Sequence, residues 1–142
     1  MEIDEATLSY DRAENIVHMS FPTPVELTTH EQIAAHFERV ITFWRSHARG
    51  KKSYFVVNFE NVNINLNELE FYAAQTKRAH EICAIASVRY GGNPLQRTVT
   101  RLAGMKIHRP SNLYETREEA LAVVRKLQKG EITGAASERP RT

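Results

Sequence analysis

Ser53-Tyr54-Phe55-Val56-Val57-Asn58-Phe59 is an almost continuous run of aromatic and β-branched residues of strand length, with no polar alternation. A strand with one wet face would alternate, so this one is expected to be covered on both faces, in the middle of a sheet. Upstream, Thr29 offers an N-cap, Gln32 three residues on can close a capping box, and Ile33, Phe37, Val40, Ile41 and Trp44 recur at helical spacing. The pattern predicts a helix that Gly50 stops in a left-handed turn, with Glu38, Arg39, Arg45 and Arg49 on its wet side. Its aromatic stripe reads as core, because burying each such side chain contributes about 1.5–3 kcal/mol and an exposed row would promote aggregation.

Nearer the start, Thr7-Leu8-Ser9-Tyr10 and Ile16-Val17-His18-Met19-Ser20-Phe21 flank the polar break Asp11 to Asn15, which predicts a hairpin ended by Pro22 and Pro24 and followed by a loop. After the central strand, Asn61-Val62-Asn63-Ile64-Asn65 reads as an Asn-rich loop. Asn65 with Glu68 then marks the start of a second helix, carrying Leu66, Leu69, Ala73 and Thr76 and running to about His80. Ile82 to Val88 reads as a second buried strand. Gly91-Gly92-Asn93-Pro94 supplies a turn, a cap and a helix-opening proline for a third helix, expected to face Leu95, Val99 and Leu102 inward and to end at Gly104. A short strand at Leu113-Tyr114 precedes a last helix, capped by Thr116 with Glu119 and lined by Ala120, Leu121, Val123, Val124 and Leu127.

This order predicts an α/β fold: a mixed, mostly parallel sheet of about five strands, an N-terminal hairpin at one edge, and about four helices. Residues 1–129 are read as one domain, and the tail 130–142, rich in Gly, Ala, Ser, Glu and Arg, as disordered. A chain of 142 residues with 42% hydrophobic and 25% charged residues is of ordinary globular composition and long enough to bury a sizeable core.

The same residues argue against several functions. No apolar run approaches the roughly 18 residues of a membrane span, and the acidic start Met1-Glu2-Ile3-Asp4-Glu5 is unlike a secretory signal, so a cytoplasmic protein without membrane attachment is expected. A net charge of +2 gives no ground for nucleic-acid binding. The lone Cys83, in the apolar run Ile82 to Ala86, has no disulfide partner and its thiolate would be disfavoured; there is also no Gly-x-Ser-x-Gly elbow. His30 and His36 are six apart and point to different helix faces, and His47 with His80 has no ligand spacing either. The expectation is a non-enzymatic chain with neither metal nor cofactor.

Two places invite a functional reading. The turn Gly91, Gly92 and Asn93, opening a helix and flanked by Arg89, Arg97 and Arg101, is a candidate anion site, in a basic stretch that also holds Lys106, His108 and Arg109. Simple turn geometry and a solvated face account for the same residues. The other is the run Asn61, Asn63, Asn65, Asn67 and Glu68, whose plain role is to satisfy turn backbone.

Taken in order, three stretches resemble the STAS domain, the fold of anti-sigma-factor antagonists and of the cytoplasmic tails of sulfate transporters. They are Val56-Val57-Asn58-Phe59-Glu60-Asn61-Val62; Ala84-Ile85-Ala86-Ser87-Val88 with Asn93-Pro94-Leu95-Gln96-Arg97 and Leu102-Ala103-Gly104-Met105; and Leu113-Tyr114-Glu115-Thr116-Arg117-Glu118-Glu119-Ala120-Leu121. The resemblance spans about Leu8 to Leu127 and implies a regulatory module that binds a protein partner through the turn before the second helix. It also implies a phosphorylatable serine in an Asp-Ser-Ser-Gly-like turn there. This chain departs from it: the region reads Asn63-Ile64-Asn65-Leu66-Asn67-Glu68, and no Ser or Thr occurs from Tyr54 through Gln75. A different reading of the same fold is a carrier of a small apolar or anionic molecule, held between helices and sheet with Trp44, Phe71 and Tyr72 near the mouth. Self-association as a homodimer is left open.

Overall fold

The computed structural model describes residues 6–107 and 112–131. Along the chain run β1 (Thr7–Asp11), β2 (Ile16–Ser20), β3 (Val25–Leu27), α1 (His30–Ala48), β4 (Ser53–Asn58), β5 (Val62–Ile64), a 3-10 turn (Leu66–Glu68), α2 (Leu69–Cys83), β6 (Ala84–Tyr90), α3 (Pro94–Lys106), β7 (Leu113–Tyr114) and α4 (Arg117–Gln128). Five strands form one sheet in the order β1-β2-β4-β6-β7, so the run that begins at Ser53 is the middle strand. Only the β1–β2 hairpin is antiparallel; β2–β4, β4–β6 and β6–β7 pair in parallel.

Helices cover both faces of this sheet. Val17, Met19, Phe55 and Val57 point into a large core with α1, α2 and α3, while Ile16, Val56 and Val88 point into a small one with Ala120 and Val124 of α4. The alternation along β4 is therefore between two buried sides, which is why its sequence shows no polar period. Asn15, in a left-handed conformation, locks the hairpin turn to the start of β4: Tyr10 Oη and Ser53 Oγ donate to its side-chain oxygen, and its amide donates to Lys52 O.

Several expectations need correcting. The segments after Pro24 and after Asn61, both expected as loops, pair as a second, two-stranded parallel sheet of β3 with β5. Three residues are too few for a strand pattern to show, and the pairing is tied by non-local bonds, Val25 N to Asn61 O and Asn65 N to Leu27 O. The second helix starts three residues late, because Asn65 caps a 3-10 turn through Asn67 N and the capping box with Glu68 does not form. It also runs through Cys83, so that residue closes a helix and the strand begins at Ala84. The left-handed stop of α1 begins at Arg49 and continues through Gly50.

The largest correction concerns α3. Of the three residues expected inward, only Val99 is buried; the helix buries Gln96, Val99, Thr100, Ala103 and Gly104, and leaves Leu95 and Leu102 in solvent. At the end of α4, Gly130 N donates to Leu127 O and Glu131 N to Lys126 O, so the first two residues assigned to the tail form the helix cap. Residues 132–142 of that expected disordered tail, like the acidic Met1 to Glu5 and the basic His108 and Arg109, lie outside the described residues.

Candidate functional site

The segment Asn61 to Glu68 lies beyond the C-terminal end of the central strand, where a parallel sheet presents its loops. Most of its polar side chains are engaged with the scaffold. Asn61 Nδ2 donates to Phe21 O at 2.7 Å, which ties the segment to the end of β2. Asn63 Oδ1 accepts from Gln96 Nε2, and Asn65 Oδ1 from Asn67 N. Glu68 Oε1 sits 2.8 Å from His30 Nε2, in a contact that is an ion pair when the imidazole is protonated; the oxygen is shut off from water and receives no well-aligned hydrogen bond. The His30 ring in turn stacks on Phe71, 4.1 Å between centroids.

Exposure in this segment falls on Leu66 and Asn67, and Leu66 is 54% exposed. Beside them, Glu26, Thr28, Asn63, Ile64, Asn65 and Leu95 line a groove of about 200 Å³ between the small sheet and α3. Leu95 is 61% exposed, and Leu102 and Met105 follow it seven and ten residues on, along one side of α3. The buried Gln96 holds the groove's two walls together: its amide nitrogen donates to Val62 O at 2.6 Å, and its oxygen accepts from Asn93 N. That second bond belongs to a complete capping box, the reverse half being Gln96 N to Asn93 Oδ1.

The candidate anion residues are placed apart in role. In the turn, Gly91 and Gly92 adopt the positive φ that glycine tolerates, and Gly91 N donates to Tyr114 O. The capping box uses Asn93 N and Gln96 N, which a bound anion would otherwise receive. Arg97 Nη1 donates to Gly91 O and Tyr114 O, strapping the turn to β7. Arg101 is exposed on α3. Arg89 lies on the sheet face under α2, its guanidinium carbon 5.9 Å from the centre of the Phe59 ring.

The histidines and Cys83 are likewise distributed. His36 is buried against Phe21 and Phe37, and His47 stacks on Phe43. Among the described residues, no three His, Cys, Asp or Glu side chains are grouped to hold a metal ion, and no helix is long and apolar enough to cross a membrane. Burial pushes the Cys83 thiol up to about 11, against the opposing pull of Arg45, Arg78 and Lys52. Trp44 is sealed in the core with its Nε1 donating to Lys51 O, and Phe71 is taken up by His30, so of the three aromatics placed at a cavity mouth only Tyr72 lines the cavity under the helices.

No family model matches this chain, and no curated protein matches it either. Solved structures do. The Bacillus cell-fate determinant SpoIIAA in its phosphorylated form superimposes over 84% of this chain and 98% of its own, with a TM-score of 0.51 and 16% identity. The anti-sigma-factor antagonist SpoIIAA in its unphosphorylated form gives 0.50 and 18%, over 84% of this chain and 97% of that one. A Shewanella loihica PV-4 protein of the DUF3478 family, described as having a SpoIIAA-like fold, gives 0.53 and 14%, over 84% and 91%. The chain therefore has the SpoIIAA-like fold, the fold expected from the STAS resemblance.

Leu66, Leu95, Leu102 and Met105 are the surface residues that sequence reasoning missed. A signal was present. On α3, Leu95, Leu102 and Met105 share one side, while Val99 and Ala103 share another, so the helix carries two apolar stripes and only one can face in.

Proposed function

We infer that this chain is a non-enzymatic regulatory module of the anti-sigma-factor-antagonist kind, which docks a partner protein at the end of the sheet, at the groove lined by Asn65 and Leu95 and the adjoining turn residues Leu66 and Asn67. One observation carries this reading: Leu95, more than half exposed, lines a groove together with Asn65, and Leu66, also more than half exposed, follows Asn65 in the turn before the second helix. A large apolar residue gains nothing from water there, and interfaces center on such anchors. The SpoIIAA-like fold supports it, since SpoIIAA is an anti-sigma-factor antagonist. Asn61, Asn63 and Asn65 would then shape the docking turn and Asn67 with Glu68 would border the contact. SpoIIAA occurs in phosphorylated and unphosphorylated forms, whereas the stretch Tyr54 to Gln75 of this chain has no Ser or Thr to modify, so its docking is proposed to be constitutive at that turn.

Site-specific photo-crosslinking in the protein's own cells tests the reading. A photoreactive residue at position 66 or 95 should yield one discrete protein adduct, and the same residue at exposed Arg12, in the hairpin turn, should not. Equal crosslinking at all three positions, or none at 66 and 95, refutes the docking face. With the partner in hand, Glu68→Gln separates charge from shape at the border of the contact, since the amide is nearly isosteric with the carboxylate.

A further inference from the structure

The two-stranded sheet has an inner and an outer side. Val25, Leu27 and Val62 are buried in the large core, so strand alternation turns Glu26 and its strand partner Asn63 to the other side, and Thr28 and Asn65 follow two residues along. These four oxygen-bearing side chains line one wall of the groove of about 200 Å³, and Leu95 and Val99 of α3 line the wall across from it. Hydrogen bonding fixes how three of them face the groove. Gln32 Oε1 can only accept, so the Thr28 hydroxyl commits its proton to that oxygen at 2.8 Å and keeps its lone pairs. Asn63 Oδ1 accepts from Gln96 Nε2 and Asn65 Oδ1 from Asn67 N, and each carbonyl oxygen has a second lone pair. Glu26 is the one charged residue among the eight that line the groove; it is exposed, and among the described residues no cation is paired with it.

We propose that this groove is a lysine-binding subsite of the docking face: the stem of a partner's lysine lies along Leu95 and Val99, and its ammonium sits against Glu26 with the oxygens of Thr28, Asn63 and Asn65 as further acceptors. The proposal rests on the docking reading for the source of that lysine. Charge complementarity selects the head. A carboxylate would face Glu26 with no cation in the lining to receive it, and a wholly apolar side chain would leave the four oxygens unused. Room is sufficient, since a void of about 150 Å³ accommodates benzene and a lysine brings only a four-carbon stem and one nitrogen. Lysine also suits an open groove, because its stem covers apolar surface while the charged head stays at the water. Its three rotatable donors can meet acceptors on two strands, whereas the rigid fork of an arginine is matched to a single carboxylate.

NMR titration of the full chain with the blocked tripeptide acetyl-Leu-Lys-Leu-amide, and with analogues carrying norleucine, arginine or glutamate in the middle, tests the proposal. The lysine peptide should bind saturably and shift the amides of Glu26, Asn63 and Asn65 and the methyls of Leu95. Norleucine, which keeps the stem and loses the charge, should bind about fivefold more weakly, as expected for a solvent-exposed ion pair. That preference should vanish in about 1 M salt. Arginine should fall between the two, and glutamate should not saturate. Because Glu26 is exposed, its replacement should leave the fold intact: Glu26→Gln should bring the lysine peptide down to the level of norleucine, and Glu26→Lys should make glutamate the preferred peptide. Absence of saturable binding, norleucine or arginine as tight as lysine, or an undiminished lysine preference in Glu26→Gln would each overturn the assignment. The docking reading fails separately. Crosslinking at positions 66 and 95 that gives no adduct refutes the docking face and leaves a lysine-selective groove standing, whereas a discrete adduct without lysine preference in the peptides refutes the groove and leaves the docking face.

Discussion

Helix α1 (His30–Ala48) buries Ile33, Phe37, Val40, Ile41 and Trp44, whereas helix α3 (Pro94–Lys106) turns Leu95, Leu102 and Met105 to solvent and buries Gln96 and Thr100. Both open with a complete capping box, Thr29 with Gln32 and Asn93 with Gln96. The box satisfies amides at a helix start and so fixes where a helix begins, but it carries no information about which side faces the protein. That depends on what the helix meets. Helix α1 packs on the sheet and on α2 and needs bulk; α3 leans on α2 and on β5, where the Val62 carbonyl needs a donor and close approach needs small residues such as Ala103 and Gly104. A polar residue is inward because it has a partner there, and apolar ones are outward because the inner stripe is filled.

The largest effect should come from α1. Trp44→Ala removes a 3%-exposed side chain and the donor to Lys51 O, and should cost about 3–5 kcal/mol in urea unfolding. A loss under about 1 kcal/mol would mean that α1 is not the buried helix of the pair.

Gln96→Ala should come next. It leaves Val62 O and Asn93 N without their partner in a buried place, at a cost of about 1–3 kcal/mol. The comparison is sharpest against Leu95→Ala on the same helix. If the apolar truncation destabilises more than the polar one, the assignment of inner and outer stripes is reversed.

The other side of the sheet offers a pH test. Burial lowers the pKa of His18 below 6.5, and Arg117 of α4 lowers it further, while Asp11 and Glu14 pull the other way. Between the folded pKa and 6.5 the unfolded chain binds more protons than the folded one, so stability rises with pH through that window. The contribution is present above pH 6.5 and is lost as pH falls toward the folded value. Urea midpoints measured from pH 7.5 to 5 should decline for the wild type, and His18→Gln should flatten the decline. An unchanged slope would show that α4 and the hairpin do not enclose this imidazole as described.

The hairpin, the central strand, all four helices and the parallel order were legible in the sequence, because each rests on a local signal: a period, a cap, a proline or a glycine. The β3–β5 sheet was not. Val25-Glu26-Leu27 and Val62-Asn63-Ile64 are three residues each, shorter than any period needs, and they meet only because chain segments some 37 residues apart come together. The candidate docking turn was legible in place but not in its working residues. The asparagines drew attention, yet asparagine suits both turn backbone and recognition, and in the folded chain Asn61, Asn63 and Asn65 are bonded to its own scaffold. Leu66 and Leu95 read as core because leucine usually is, and only packing shows that they are not.

Met105 gives the smallest effect on stability and the most direct reading of the outer stripe. At 70% exposure, with Leu102 also exposed three residues before it, its side chain contributes little to folding, so Leu102→Gln and Met105→Gln should each change stability by no more than about 0.5 kcal/mol. Limited peroxide treatment should convert Met105 to the sulfoxide early, whereas Met19, 9% exposed in the large core, should react only as the chain unfolds. Peptide mass analysis against time separates the two. Met105 oxidation that leaves the melting temperature unchanged, with Met19 intact, is the expected outcome; protection of Met105 in the isolated chain would mean that the outer face of α3 is already covered, by a second copy, and the comparison with α1 would fail at its root. Once the partner is known, the same sulfoxide supplies a graded probe: if docking at Leu66 and Leu95 extends along α3, oxidation at Met105 should slow association without touching the fold, and if docking stops at the groove, association should be indifferent to it.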